Sequence, residues 1–377
     1  MKRVRVLAAH PSEAVRIALM GSLWVALHLY AGRPLLVAAH AGGVAPFLAW
    51  SGLVCLSFVS ILPFLARRDS RLRSAAHWIG YASMSVFAML LVLVLASDVF
   101  RLGYTLVRCI APARVWPLLD PRTISLTLLG GALALTTIGL VQARHPRVVR
   151  LRVPIDDLPP ELDGYRIVQW SDVHVGPTIR SGFVRSLVER TNELSADAVV
   201  ITGDLVDGYV DDLRDEVRPL RELTAKDGVF FVTGNHEYYW RAREWVAEIA
   251  ELGATFLKNE HRVIRRGEAR LVMAGITDPA GRNTHQPNVA AALKAAPRDA
   301  VKVLLSHRPQ AAEEASKLGA HLQLSGHTHG GQFFPFNLVI RWFQPIVAGL
   351  HKVGSTWLYV SRGTGYWGPP SRLGVGG

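Results

Sequence analysis

Four apolar runs, about Val15–Ala31, Ala45–Ala66, Ala76–Ala96 and Thr123–Ala143, occupy most of the first 148 residues of this 377-residue chain. Each is close to the roughly 20 residues that a helix needs to cross a bilayer. Inside hydrocarbon every backbone N–H and C=O must be satisfied within the segment, which leaves helix as the available conformation. The cores of the third run (Ser83–Ser97) and the fourth (Ser125–Val141) carry no charge, whereas Arg16 and His28 weaken the first. One such run alone reads equally well as a buried core helix. Four in succession, separated by arginine clusters, read as a membrane region of about four helices.

The charge is distributed to match. The formal net charge of +12 would suit a nucleic-acid binder if it were spread over the chain. Residues 1–148 instead hold 15 of the 42 Lys and Arg and 4 of the 30 Asp and Glu, a net of +11 that leaves +1 for the remainder. No broad basic footprint is left for a phosphate backbone, so nucleic acid is not an expected partner and the lipid bilayer is. Lys2, Arg3 and Arg5 precede the first run. Arg67, Arg68, Arg71 and Arg73 come after the second, and Arg144, Arg147, Arg150 and Arg152 after the fourth. Fewer basic residues lie in the other two loops: Arg33 in one, and Arg101, Arg108, Arg114 and Arg122 in the other. The positive-inside bias then places both ends inside. The expected location is multi-pass in a bacterial inner membrane, with the C-terminal domain cytoplasmic. Two cysteines, Cys55 and Cys109, exclude a disulfide scaffold and a cysteine-rich zinc module.

Residues 1–148 therefore read as a transmembrane region, 149–163 as a proline-bearing linker (Pro154, Pro159, Pro160) and 164–377 as a folded domain. In that domain short β-branched runs alternate with amphipathic stretches. Expected strands are Tyr165–Trp170, Ala198–Thr202, Val229–Thr233, Leu271–Ile276, Val301–Leu305, His321–Leu324 and Trp357–Val360. Expected helices include Thr178–Leu194, Asp211–Thr224 and Tyr239–Leu252. Alternation of this kind specifies an α/β domain whose strands are covered by helices.

The residues just past the strands are more informative. The first strand ends in Ser171-Asp172-Val173-His174 and the second in Gly203-Asp204-Leu205-Val206-Asp207. The third ends in Gly234-Asn235-His236-Glu237, the fifth in Ser306-His307-Arg308, and the sixth in Gly326-His327-Thr328-His329. Open α/β sheets place their ligand sites at the carboxyl edge. Any one of these residues could be a turn former or helix cap. Together they bring Asp172, Asp204, Asn235 and five of the ten histidines of residues 145–377 to one rim. Carboxylate, amide and imidazole donors without thiolate suit Mn²⁺, iron or Zn²⁺, and eight polar groups exceed the needs of one tetrahedral ion.

The ordered blocks D-x-H, G-D-x-x-D, G-N-H-E, a lone H and G-H-T-H resemble the calcineurin-like metallophosphoesterase superfamily over Asp172–His329. The apolar N-terminus, Gly326–Gln332 and Leu358–Gly363 look like its membrane-attached branch, the transmembrane proteins with metallophosphoesterase domain. That resemblance implies two facing β-sheets flanked by helices and a pair of divalent metal ions (Mn, Fe or Zn). Asp172, His174 and His329 would hold one ion, Asn235, His307 and His327 the other, and Asp204 would bridge them. His236 would donate a proton to the leaving group, oriented by Asp207. The implied reaction is hydrolysis of a phosphodiester or pyrophosphate by a metal-activated hydroxide. Some relatives act on lipid-linked substrates, including the UDP-diacylglucosamine pyrophosphatases of lipid A synthesis. Related chains also tend to continue into a further strand beyond Arg372–Gly377.

Other residues leave alternatives open. Glu237 reads as a helix-start carboxylate, and Arg308 as either a phosphate contact or an exposed arginine. Phe333–Phe343 is either a buried strand and turn or an apolar flap beside the site. Arg262, Arg265, Arg266 and Arg270 read as a hairpin with solvated arginines. A metal-binding scaffold or sensor without catalysis is the competing functional class.

Overall fold

The computed structural model describes residues 11–39, 44–65, 72–111, 117–282 and 285–376. Two compact units emerge, Met1–Ile138 and Gly139–Gly377. Lys2, Arg3, Arg5, Arg67, Arg68, Arg71 and Arg114, used above for topology, lie outside the described residues.

In the first unit every described apolar run is helical. The elements are α1 (Pro11–Ala31), α2 (Arg33–Ala38), α3 (Ala45–Val59), α4 (Leu62–Leu65), α5 (Arg73–Ile110) and α6 (Pro121–Arg144), whose last turns belong to the second unit. Two of them, α5 and α6, are long and apolar enough to cross a membrane. The apolar parts of the first two runs are shorter, Ala18–Ala31 and Pro46–Val59. The second run breaks at the Ser60-Ile61 turn ahead of Pro63, whose ring cannot continue a helix interior. At 1.5 Å per residue the 15-residue α3 spans about 22 Å, short of a hydrocarbon core of about 30 Å. Helix packing in this unit is close. His28 stacks on Phe87 at 3.8 Å, and Asp98 accepts from Tyr30 (2.7 Å) and Arg33 (2.6 Å).

The second unit contains two sheets. The first has the order β1 (Ile167–Trp170), β2 (Ala198–Thr202), β3 (Val229–Val232), β4 (Ala254–Phe256), all parallel. The second runs β5 (Glu260–Arg266), β6 (Ala269–Gly275), β7 (Val301–Leu305), β8 (Leu322–Ser325), β10 (Thr356–Val360), β9 (Gly349–Val353). Its four inner strands are parallel, and the outer two pair antiparallel. The helices are α7 (Ser181–Glu193), α8 (Val210–Val217), α9 (Asn235–Tyr239), α10 (Ala242–Glu251), α11 (Val289–Leu293), α12 (Ala312–Lys317) and α13 (Phe336–Val339).

The strand period of two explains the layering. Along β2, Val199 and Ile201 face Phe183, Leu187, Trp245 and Ile249 of α7 and α10. The alternate residues Ala198 and Val200 join Met273, Val303, Leu305 and Leu324 of the other sheet. On the far side Val272, Ala274 and Leu304 meet Val289, Ala292 and Ala315. The result is helix, sheet, sheet, helix, and a strand buried on both faces reads as the unbroken apolar run seen in Ala198–Ile201. The stretch read as a linker contributes Val153, Ile155 and Leu158 to the layer between the sheets.

All seven expected strands are present. The three that sequence reading omits are β4, β5 and β9, which lie at sheet edges and carry polar or short sequences. The arginine cluster is the β5–β6 hairpin, where Arg266 pairs with Asp227 (2.6 Å) and Arg270 with Asp299.

Trp245 is fully buried, and its indole N–H donates to the Gly208 carbonyl at 2.8 Å, fixing the loop after Asp207. Trp245→Ala is expected to cost about 3–5 kcal/mol in denaturant unfolding of the purified chain, and Trp245→Phe clearly less.

Candidate metal centre

The inner strands deliver their trailing loops to one edge. Asp172 and His174 come after β1, Asp204 and Asp207 after β2, and Asn235 and His236 open α9 after β3. From the other sheet, Asp278 comes after β6, His307 after β7, and His327 and His329 after β8. All are buried or nearly so, with Asp172 at 0%, Asp204 at 3% and His307 at 1% exposure.

The backbone is bent to achieve this convergence. Asp172, His174, Asp204, His327 and His329 all have positive φ, between 51° and 72°. Non-glycine residues rarely take this conformation, and where they do it is over-determined by their surroundings. Here those surroundings include glycines that let loops touch. A Cβ on Gly203 (φ 89°) would lie 2.5 Å from the Gly234 nitrogen and 2.8 Å from His307 Nδ1. One on Gly326 would overlap Ser171 Oγ and Asp172 Oδ2.

Three groups of donor atoms lie close enough to hold a cation: Asp172, His174 and His329; His174, Asp204 and His236; and Asp204, His307 and His327. Within them His174 Nε2 and His329 Nε2 are 3.0 Å apart, and His307 Nε2 lies 3.2 Å from His327 Nδ1. His307 Nε2 is 3.3 Å from Asp204 Oδ2. Asn235 is buried, and its Oδ1 has no hydrogen-bond partner among the described residues. An acceptor of this kind, beside imidazole nitrogens that face one another, is what a cation would satisfy. The residues therefore fit the divalent metal that the resemblance implies.

Orientation comes from contacts behind the donors. His307 Nδ1 is held by the Thr202 carbonyl at 2.8 Å, which turns Nε2 inward. Asp207 bonds His236 Nδ1 through one oxygen and lies 3.3 Å from His174 Nδ1 through the other. One carboxylate thus fixes the far nitrogen of His236 by a hydrogen bond and faces that of His174 at ion-pair distance. The Asp172 carboxylate accepts from the His327 backbone N–H (3.0 Å) and the Ser171 hydroxyl (2.5 Å). Asp204 Oδ1 accepts from His236 N at 2.9 Å.

Electrostatics divide the imidazoles. Burial alone would lower the pKa of His307, but the Asp204 carboxylate against it raises it to about 10. Burial opposes ionisation of Asp204 too, and His307 reverses this, holding the carboxyl well below its usual range. Burial, with His307 nearby, lowers His327 to about 4, and burial with His174 and Arg372 lowers His329. His236 overcomes burial through its bond to Asp207 and rises to about 9, while Asp207 falls to about 2 against its own burial.

Three residues gain roles that sequence reading did not assign. Glu237 does begin a helix, accepting from Gly234 N at 2.6 Å. It is also fully buried and accepts from Asp204 N (3.0 Å) and Leu205 N (2.8 Å), clamping the β2 loop to the β3 loop. Arg308 donates two hydrogen bonds to the buried Asp278, at 2.8 and 3.2 Å. Arg372, in the stretch read only as the tail, is 1% exposed. Its guanidinium donates to the carbonyls of His329 (3.0 Å), Gly365 (3.0 Å) and Arg362, and Nη2 lies 3.3 Å from His329 Nδ1. An arginine in a Gly/Pro-rich segment was the one available signal, and it resembles any surface arginine.

A cage of buried imidazole and carboxylate at the shared rim of the two sheets defines a metal-binding α/β protein. The chain belongs to the calcineurin-like metallophosphoesterases. The calcineurin-like phosphoesterase family matches residues 165–331. The chain is 36% identical to the transmembrane protein with metallophosphoesterase domain of Danio rerio, over 79% of this chain and 71% of that one. It is 34% identical to the Bos taurus protein of the same name, over 88% and 77%. An uncharacterized metallophosphoesterase of Helicobacter pylori strain J99 is 36% identical over 61% of each chain. Among solved structures, a 5'-nucleotidase precursor from Thermus thermophilus is similar over 54% of this chain at 16% identity (TM-score 0.37); the match spans about half of that chain, 49%.

Two outcomes are expected. Because His307 retains its proton up to about pH 10 without metal, loading a cation displaces about one proton. Affinity for Mn²⁺ should rise from pH 6 to pH 9, and calorimetry in buffers of different ionisation enthalpy should register the release. Glu237→Gln presents an amide to N–H donors and should cost about 2–3 kcal/mol in unfolding, with less metal bound per chain.

Proposed function

We propose that the chain is a membrane-anchored phosphoesterase that uses two divalent ions to hydrolyse a phosphodiester or pyrophosphate. The observation that carries this reading is the position of Asp204, shared between donor groups, beside the Asp207–His236 pair. Asp172, His174 and His329 would hold one ion, Asn235, His307 and His327 the other, with Asp204 between. A bound pair of cations supplies Lewis-acid charge to phosphate oxygens and lowers the pKa of water.

The remaining chemistry belongs to the side chains. Water adds to phosphorus, the bond to the leaving oxygen breaks, and that oxygen takes a proton. His236 is suited to give it. Its Nδ1 is committed to Asp207, its Nε2 lies 3.9 Å from Asp204 Oδ2, and its raised pKa keeps it protonated at neutral pH. The resemblance assigns His236 to proton transfer rather than to the donor group it forms with His174 and Asp204. A non-catalytic metal-binding scaffold would have no use for this pair.

The membrane reading has two supports: the names of the relatives and the two long apolar helices α5 and α6. We extend it to about four spans in a bacterial inner membrane, with both ends and the catalytic domain in the cytoplasm. A reporter fused after Gly377 tests this. A substrate carried by lipid, of the UDP-diacylglucosamine or phospholipid type, suits an enzyme confined to the bilayer.

Detergent-purified, metal-stripped protein reloaded with Mn²⁺ should hydrolyse bis(p-nitrophenyl) phosphate. Asp204→Asn should remove activity together with bound metal. His236→Gln should keep the metal and lower the rate by about 10²–10⁴. Folded, metal-loaded protein inert toward this diester and toward lipid pyrophosphates would overturn the assignment.

A further inference from the structure

The segment after the histidine loop is neither strand nor core. Phe336–Val339 forms α13 and Ile340–Trp342 a single 3₁₀ turn. Its backbone is firmly held. The Phe334 N–H donates to the Leu373 carbonyl at 3.0 Å, and the Gln332 side chain donates to the carbonyls of Trp367 (2.9 Å) and Pro369 (3.0 Å). Phe333 is buried and meets Phe336 edge-on at 5.2 Å. The side chains beyond this root face solvent. Phe336 and Leu338 are each 54% exposed, Phe343 74% and Trp342 82%. Large apolar side chains grouped on a backbone this well fixed mark a contact surface rather than a loose loop.

Charge identifies what it contacts. None of residues 315–377 is Asp or Glu, while Arg341 lies exposed between Ile340 and Trp342. Tryptophan and phenylalanine beside an arginine, with no carboxylate, is the chemistry that settles at the headgroup level of an anionic bilayer. The arginine stem lies along apolar surface there while its head reaches phosphate.

The root of the segment also touches the last turns of α6, within the second unit. The Gly139 carbonyl accepts the Arg372 N–H at 3.0 Å, and Ser371 and Leu373 fill the space where a Gly139 side chain would stand. Val141, in the next turn, is 54% exposed. The flap and an apolar helix end therefore meet through Ser371–Leu373. On the site side, Trp367, whose carbonyl Gln332 holds, lies 5.8 Å edge-on from the His236 ring.

We propose that Phe336, Leu338, Trp342 and Phe343 insert into the headgroup–acyl boundary of the bilayer, presenting the rim of the metal site to phosphoesters in the membrane plane. Insertion stands on this surface alone; its use in substrate capture rests on the function proposed above.

The test uses the full chain in vesicles containing anionic phosphatidylglycerol. Trp342→Cys is labelled with an environment-sensitive fluorophore after Cys55→Ser and Cys109→Ser, with Asp215→Cys as the solvent-facing control. Doxyl-labelled lipid should quench the label at 342 and spare the one at 215, and iodide should do the reverse. Iodide quenching at 342 without lipid quenching overturns insertion. Protection from iodide without lipid quenching places a protein, a second copy included, on the surface, and also overturns it. In the same vesicles, Phe336→Ser, Trp342→Ser and Phe343→Ser combined should lower hydrolysis of a lipid-borne phosphodiester about tenfold. Turnover of soluble bis(p-nitrophenyl) phosphate should stay within about twofold. If the unaltered chain cleaves neither substrate, the enzymatic reading fails while the quenching result still decides insertion.

Discussion

The carboxylate of Asp204 is the charge on which the other groups of the rim depend. A buried anion is costly unless it is paired and hydrogen-bonded. Asp204 meets that cost with the His307 imidazole at 3.3 Å, the His236 backbone N–H at 2.9 Å, and the rings of His174 and His236 within 4.0 Å. These partners come from the loops after β1, β3 and β7, so the charge can be buried only when both sheets are in place. Packing of the layer between the sheets and electrostatics at its edge are therefore one constraint. Val200, Val232, Met273 and Leu305 set the separation at which the donor groups meet.

The left-handed backbone at five donor residues arises from the same constraint. A strand that continued straight would carry its next side chains past the rim. Turning at Asp172, Asp204 and His327 brings them back over the edge. The strain is held by a network that repeatedly uses backbone as partner: Glu237 on the amides of Asp204 and Leu205, Arg372 on the carbonyls of His329, Arg362 and Gly365. Glu237, whose carboxyl burial and Asp204 push up to about 7, offers oxygens to buried N–H groups, and Arg372 offers positive charge to C=O groups. Each is a buried ionisable group held mainly by peptide dipoles.

This division explains what could be read from the chain and what could not. The rim residues were legible because each comes two to five residues after a strand, a local pattern. The inner strands were legible because burial on both faces makes them continuously apolar. Edge strands β4, β5 and β9 have one neighbour each and no such signature. Glu237 was half legible: its spacing from Gly234 reports the helix start, whereas its contacts with residues about 32 positions earlier exist only in the fold. Arg372 was not legible at all, since its partners lie across turns whose closure no local motif records. The break in the second apolar run was not legible, because hydropathy averages across the Ser60–Pro63 interruption that ends α3.

Charge along the chain also becomes charge in space. Within the second unit every carboxylate side chain falls between Asp156 and Glu314, a span that includes Asp172, Asp204, Asp207 and Asp278 at the rim. The stretches on either side, Gly139–Ile155 and Ala315–Gly377, have none. These two acid-free stretches are brought together where Ser371–Leu373 packs on Gly139 and holds the root of the Phe334 flap. A domain whose total is close to neutral thus separates a carboxylate-bearing rim, suited to divalent cations, from a cationic and aromatic border. The second unit's balance of +3 hides that polarity, because it counts the two regions against each other.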